Sequence, residues 1–146
     1  MATRRAEATW EGALADGRGS ADLESGVATD LQVNWRARTE GGAQTSPEEL
    51  LAAAHASCFA MALSHALGEA GNPPQSLSVA AAVEFGPTEG GFEVKGSRLK
   101  VRGTVPGVDD EAFQEAVRGA AEGCPISQAL SGNIEISVDE AVLEQA

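Results

Sequence analysis

From Leu50 to Leu67 the chain carries no charged residue, and the segment just before this run reads Ser46-Pro47-Glu48-Glu49. A serine that can cap, a proline at the first helical position and a glutamate at the third form a strong helix-start signal. A helix is therefore expected from Pro47 to about Leu67, stopped by Gly68 or by Gly71-Asn72-Pro73-Pro74. Such a helix is apolar on nearly every side, so it belongs in the centre of a larger structure. The run approaches membrane-spanning length, but it is mostly alanine and contains His55, Ser57, Cys58, Ser64 and His65. That composition favours a buried helix over a membrane span.

Other elements assemble around that helix. The first forty residues form short β-like runs, Thr9–Leu14, Ala21–Glu24 and Val27–Arg38, the last with alternating Leu31, Val33 and Trp35. Asp16-Gly-Arg-Gly19 and Ser25-Gly26 read as turns between them, which predicts an antiparallel meander with Arg36 and Arg38 turning away after Trp35. Beyond the helix, Leu77–Phe85 and Phe92–Val105 read as a second hairpin, with Val79, Ala81, Val83 and Phe85 on one face. Asp109-Asp110 caps a helix to about Glu122, Gly123 ends it, Pro125 begins a short helix to Leu130, and Ile134, Ile136 and Val138 form a last strand. This order is that of an α+β fold. A chain of 146 residues fits one domain, 1–146, able to bury about 70% of its unfolded surface.

Composition then narrows the partners. A formal net charge of -12 repels phosphate backbones and anionic lipid, so neither nucleic acid nor a membrane surface is an expected partner. Two cysteines are too few for a secreted disulfide scaffold, and the basic residues near Met1 have no apolar stretch behind them. The expectation is a cytoplasmic protein.

Those two cysteines have distinct settings. Cys58 lies inside the alanine-rich helix, where a thiol also serves as a small packing residue. Cys124 stands immediately before Pro125, where unpaired amides at a helix start favour a thiolate. His55 precedes Cys58 by three residues, so the two are helical neighbours, and a Cys-His pair is one route to an acyl-transfer nucleophile. A lone histidine on a buried helix is equally a satisfied core residue. His65 falls seven residues after Cys58, about 10 Å along the axis, too far to share one ion. No metal or other cofactor is expected. Glu48 lies ten residues before Cys58, about 15 Å along the same helix, so the two cannot touch within it.

At these residues the chain closely resembles the osmotically inducible protein C (OsmC) branch of the OsmC/Ohr family, the thiol-dependent hydroperoxide reductases. The resemblance rests on Thr45-Ser-Pro-Glu-Glu-Leu-Leu-Ala-Ala-Ala-His-Ala-Ser-Cys-Phe-Ala-Met-Ala-Leu-Ser64, on Cys124-Pro-Ile-Ser-Gln-Ala-Leu130, and on Trp10-Glu-Gly followed by the Asp16-Gly-Arg-Gly turn. It implies that Cys58 is the peroxidatic cysteine, Cys124 the resolving cysteine, and Glu48 the glutamate of the Pro-Glu-Glu motif. Arg38, nine residues before Pro47, matches the arginine of the OsmC-type loop. The Ohr branch takes its arginine from the first β-turn, where this chain has Arg18, and Arg36 is a third candidate. Ser46 replaces the asparagine usual before this proline and keeps a good cap.

The implied fold is an interlocked homodimer, with antiparallel sheets wrapping paired central helices and a site at each interface. Since Glu48 cannot reach Cys58 of its own helix, a shared site implies either that Glu48 comes from a second copy or that Arg38 bridges the two. The implied chemistry is reduction of organic hydroperoxides, and more weakly of hydrogen peroxide, through a Cys58 sulfenic acid and a Cys58–Cys124 disulfide, with an external dithiol as reductant, a lipoyl-type dithiol being one candidate. Phe59, Met61 and Leu51 are expected to supply apolar surroundings that favour organic substrates. Two other readings of the same residues are a Cys58-His55 acyl hydrolase and a non-catalytic dimer that senses redox state or binds an apolar ligand.

Overall fold

The computed structural model describes residues 1–144, in two compact units, one of residues 1–50 and one from residue 51 onward. In the first unit, β1 (Ala6–Glu11), β2 (Arg18–Leu23) and β3 (Leu31–Val33) form an antiparallel sheet in chain order, the expected meander. Glycine makes its close packing possible. A Cβ added to Gly19 would lie 2.6 Å from the Trp10 ring, and one on Gly17 2.8 Å from it. The indole therefore lies against bare backbone, with its Nε1 donating to the Gly12 carbonyl at 2.9 Å. This is the packing reason for Trp10-Glu-Gly and the glycine-bracketed turn.

The third expected strand is cut short. After Val33, the Asn34 side chain accepts the amide of Ala37 at 2.7 Å and opens a short helix, α1 (Trp35–Thr39). Arg36 and Arg38 are thus helical residues. An asparagine at a potential N-cap outweighed an alternation only three apolar positions long.

Helix α2 (Pro47–Glu69) begins as expected: the Ser46 hydroxyl accepts the Glu49 amide at 3.1 Å. It starts in the first unit and continues through the second. His55, Phe59, Leu63 and Leu67, spaced by four, form its buried face, while Ala53, Ala54, Ser57, Met61 and Ser64 are exposed. Expected to be central on all sides, α2 is covered on one side in the single chain. Among the described residues it is the one helix long and apolar enough to cross a membrane, yet that buried face is part of a protein core.

In the second unit, β4 (Ser76–Thr88) and β5 (Gly91–Thr104) pair antiparallel, and β6 (Glu135–Glu144) joins β5 in parallel. The parallel pairing follows from the connection, since α3 (Asp110–Gly123) and α4 (Pro125–Leu130) carry the chain back along the sheet. Asp109 caps α3 by accepting the Ala112 amide at 2.8 Å. Phe59, Leu63 and Leu67 of α2, Leu99 and Val101 of β5, and Phe113, Val117 and Ala120 of α3 form the core, with Cys124 at its edge.

Candidate active site

Both cysteines belong to the second unit, and the fold brings them together although they are far apart in sequence. Cys58 is half-buried on α2, whereas Cys124 is fully buried at the joint where α3 ends and α4 begins. The Cys124 amide donates to the Ala120 carbonyl at 2.9 Å, and its carbonyl accepts the Gln128 amide at 2.9 Å, so both helices fix its backbone. Both are free thiols, close enough for each to shift the other's acidity.

Their surroundings separate their acidities. Burial pushes the Cys124 thiol up, but the Ser127 amide and hydroxyl, the Cys58 thiol and the Ile126 amide together outweigh it and leave its pKa lowered. For Cys58, burial again raises the pKa, and although the Ile126 amide opposes it, the neighbouring Cys124 raises it further. The two neighbouring thiols are thus pushed in opposite directions, Cys124 down and Cys58 up. None of the groups acting on Cys58 within this unit is a cation.

His55 is not a partner of Cys58. Its ring is fully buried, with Nδ1 bonded to the Ser97 hydroxyl at 2.7 Å and Nε2 to the Ser127 hydroxyl at 2.7 Å. Burial lowers its pKa, so the ring is neutral at physiological pH. With both nitrogens taken, the general base needed by an acyl hydrolase is absent from this pair. Sequence reasoning missed Ser97 and Ser127. Ser97 shares a face of β5 with Leu99 and Val101, so the alternation that turns those two inward also turns Ser97 inward.

The expected apolar surroundings are redistributed. Phe59 is in the core, Leu51 is half-buried, and Met61 is 73% exposed on the opposite side of α2. A cleft of about 390 Å³ lies beside Ser127, floored by Phe59, Leu99, Ile136 and Val138.

The first unit holds the charged residues. Arg38 grips Glu48 at two points, Nε to Oε2 at 3.2 Å and the terminal nitrogen to Oε1 at 2.7 Å. The Glu48 side chain is only 8% exposed, and the Arg38 guanidinium lies 5.8 Å from the centre of the Trp35 ring. The other two candidate arginines are at the surface: Arg36 pairs with Glu40 at 2.9 Å and Arg18 with Glu11 at 3.5 Å. An apolar cleft of about 310 Å³ opens at Arg38, lined by Trp10, Leu14, Val33, Trp35 and Pro47. A guanidinium at the edge of an aromatic cleft suits a small substrate with a polar head and an apolar tail.

Comparison with known proteins places this geometry among relatives. Residues 39–139 match the family described as OsmC-like protein. Peroxiredoxin OsmC of Escherichia coli (strain K12) is 41% identical over 133 residues, covering 91% of this chain and 93% of that protein. The crystal structure of the organic hydroperoxide resistance protein OhrB of Bacillus subtilis superposes with a TM-score of 0.71 at 32% identity, covering 96% of this chain and 98% of that one. An organic hydroperoxide resistance protein from Elizabethkingia anophelis, crystallised with thiocyanate bound, gives a TM-score of 0.76 at 28% identity, covering 99% and 97% of the two chains.

Proposed function

Since this chain belongs to the OsmC-like protein family, we propose that it is a thiol-dependent peroxidase that reduces organic hydroperoxides to alcohols, and hydrogen peroxide more weakly to water. The observation that carries the reading is the contact between two free thiols of unequal access and acidity. Half-buried Cys58 is the thiol a peroxide can reach, and Cys124 is sealed from solvent. The Cys58 thiolate attacks the peroxide's terminal oxygen; the O–O bond breaks, the alcohol leaves with a proton, and a sulfenic acid remains. Cys124 then attacks the Cys58 sulfur. The S–O bond breaks, the S–S bond forms, and the oxygen leaves as water with the proton lost by Cys124. An external dithiol returns both thiols.

Arg38 and Glu48 complete the site in a homodimer. The exposed side of α2 is the face a second copy would cover, and the Arg38–Glu48 pair of one copy would serve Cys58 of the other. There Arg38 stabilises the thiolate and the negative charge growing on the departing oxygen, while Glu48 fixes the guanidinium. The cleft at Trp10, Leu14 and Trp35 would hold the organic tail of the substrate. Residues 1–146 then act as one OsmC-like domain, soluble and cytoplasmic, in which the Cys58–Cys124 disulfide is transient.

The deciding measurement is organic hydroperoxide consumption by the reduced protein with a dithiol present. Turnover is expected to vanish in Cys58→Ser and to stall at the sulfenic acid in Cys124→Ser. Sulfenic acid forming at Cys124 in the Cys58→Ser chain would reverse the two roles. No consumption by the wild type would refute the peroxidase, and full activity in a sedimenting monomer would refute the shared site.

A further inference from the structure

The short helix α1 carries an aromatic ring and a cation on one face. Asn34 caps it by accepting the Ala37 amide at 2.7 Å, and the Thr39 hydroxyl donates back to the Trp35 carbonyl at 3.2 Å, so this brief helix is tied at both ends. Residues three apart on a helix share a face, which brings Trp35 to Arg38 and leaves Arg36 to pair with Glu40. The Arg38 guanidinium carbon stands over the Trp35 ring, 5.8 Å from its centre. That lies within the roughly 6 Å over which the face of an indole attracts a cation. Trp35 is half-buried and the Arg38 side chain is only 29% exposed, so water screens the attraction less than at an open surface. Glu48 holds the same guanidinium along one edge, at 3.2 and 2.7 Å. Two bonds along an edge leave the plane able to swing about that edge, and a ring under the cation resists the swing.

We propose that Trp35 is a positioning residue of the peroxidase site, its indole face holding the Arg38 guanidinium at the edge of the aromatic cleft so that Glu48 and Trp35 together fix where the positive charge stands. The inference rests on the reading of Arg38 as the arginine of that site. Trp35 and Arg38 both line the cleft, which gives Trp35 two separable duties: a wall for the organic tail of a substrate, and a support for the cation. The choice of peroxide separates them. Hydrogen peroxide has no tail, so a residue that is only a wall leaves its reduction untouched. A residue that aims Arg38 governs every peroxide alike, because each leaves negative charge on its departing oxygen. The identity of the ring matters as well. Indole presents the strongest cation-binding face among the aromatic side chains, so phenylalanine here would hold the guanidinium, but less firmly.

The test compares wild type, Trp35→Leu and Trp35→Phe in kcat/KM for hydrogen peroxide and for cumene hydroperoxide, with a dithiol present. Trp35→Leu is expected to lower both values by about three- to tenfold, the worth of a half-buried cation–ring contact, and Trp35→Phe by no more than about twofold. A loss confined to cumene hydroperoxide makes Trp35 a wall alone and overturns the proposal, as does no loss at all. Urea unfolding of Trp35→Leu, Arg38→Gln and the double variant needs no peroxide. Each single change removes the contact and the double change removes it only once, so the double variant is expected to be about three- to tenfold less destabilised, in unfolding constant, than the product of the single losses. Strictly multiplicative losses overturn the proposal. Trp35→Met, flexible and apolar, takes the place of the leucine variant if that chain does not fold. A wild type that consumes neither peroxide refutes the functional reading, and the unfolding cycle then decides by itself whether Trp35 holds Arg38.

Discussion

Replacing His55 by leucine removes the centre of the buried, hydrogen-bonded trio of Ser97, His55 and Ser127 while keeping an apolar side chain of similar bulk. Two hydrogen bonds at 2.7 Å are lost, and the hydroxyls of Ser97 and Ser127, 0% and 4% exposed, lose their ring partner. Each orphaned buried hydroxyl costs roughly 1–3 kcal/mol, and the added apolar contact returns about 1 kcal/mol, so His55→Leu is expected to destabilise the protein by about 1–5 kcal/mol at neutral pH. The pH dependence makes the test sharper. Burial lowers the His55 pKa in the fold below the ordinary 6.5. Above that value both folded and unfolded chains are neutral at this ring, and its contribution is fully present. As pH falls through 6.5, the unfolded chain takes up the proton first, so stability is lost until pH passes the folded value, at no more than about 1.4 kcal/mol per pH unit. The leucine variant lacks this slope, so the stability gap between the two proteins should narrow as pH falls. The chain has only two histidines, and His65 is exposed on α2; carboxylates titrate mainly below this window. Urea unfolding from pH 8 down to pH 5, at one protein concentration, measures the gap. A gap that stays constant or widens on acidification would refute the assignment of a neutral, doubly bonded His55.

Arg38→Lys keeps the charge but not the two-point grip on Glu48, and it is expected to lower kcat/KM for an organic hydroperoxide by about 10–100-fold, with Arg38→Gln, which loses the charge as well, lower still. Gly103→Ala would place a methyl 2.8 Å from the Phe113 ring and 2.9 Å from Leu77, at a cost of about 1–3 kcal/mol in urea unfolding. Gly68→Ala in α2 meets no atom within 4 Å and should instead stabilise by about 0.5–1 kcal/mol.

Local chemistry made the helices legible. Ser46-Pro47 and Asp109 open α2 and α3 where the sequence puts them, because each cap satisfies amides within one turn and needs nothing distant. Alternation likewise located β4 and β5. It failed at Trp35–Thr39, where three alternating residues could not show that the Asn34 side chain would take the Ala37 amide. Long-range choices left no such trace. The parallel pairing of β6 with β5 depends on how α3 and α4 return the chain, and the contact between Cys58 and Cys124 depends on that same return. The arginines were ambiguous by spacing alone. It takes coordinates to show that Glu48 is gripped by Arg38 while Arg18 and Arg36 pair with other carboxylates at the surface.

The division of properties between the two thiols bears on why the proposed peroxidase would need an arginine at Cys58 and not at Cys124. Cys124 receives its stabilisation from neighbours a few residues away, the amides of Ile126 and Ser127 and the Ser127 hydroxyl, so its acidity is built into the turn between α3 and α4. Cys58 has access, but its neighbours within the unit raise its pKa, and the thiolate beside it is the reason any second ionisation is costly. Attack at Cys58 therefore requires a positive charge from elsewhere, whereas resolution at Cys124 does not. In the proposed dimer Arg38 arrives with that charge, so that Cys58 becomes the anion while Cys124 holds the hydrogen. Once Cys58 is oxidised its charge is gone, the repulsion between the sulfurs disappears, and the local groups that lower the Cys124 pKa again favour its thiolate. On the proposed reading, the peroxidatic thiol is activated by assembly and the resolving thiol by local sequence.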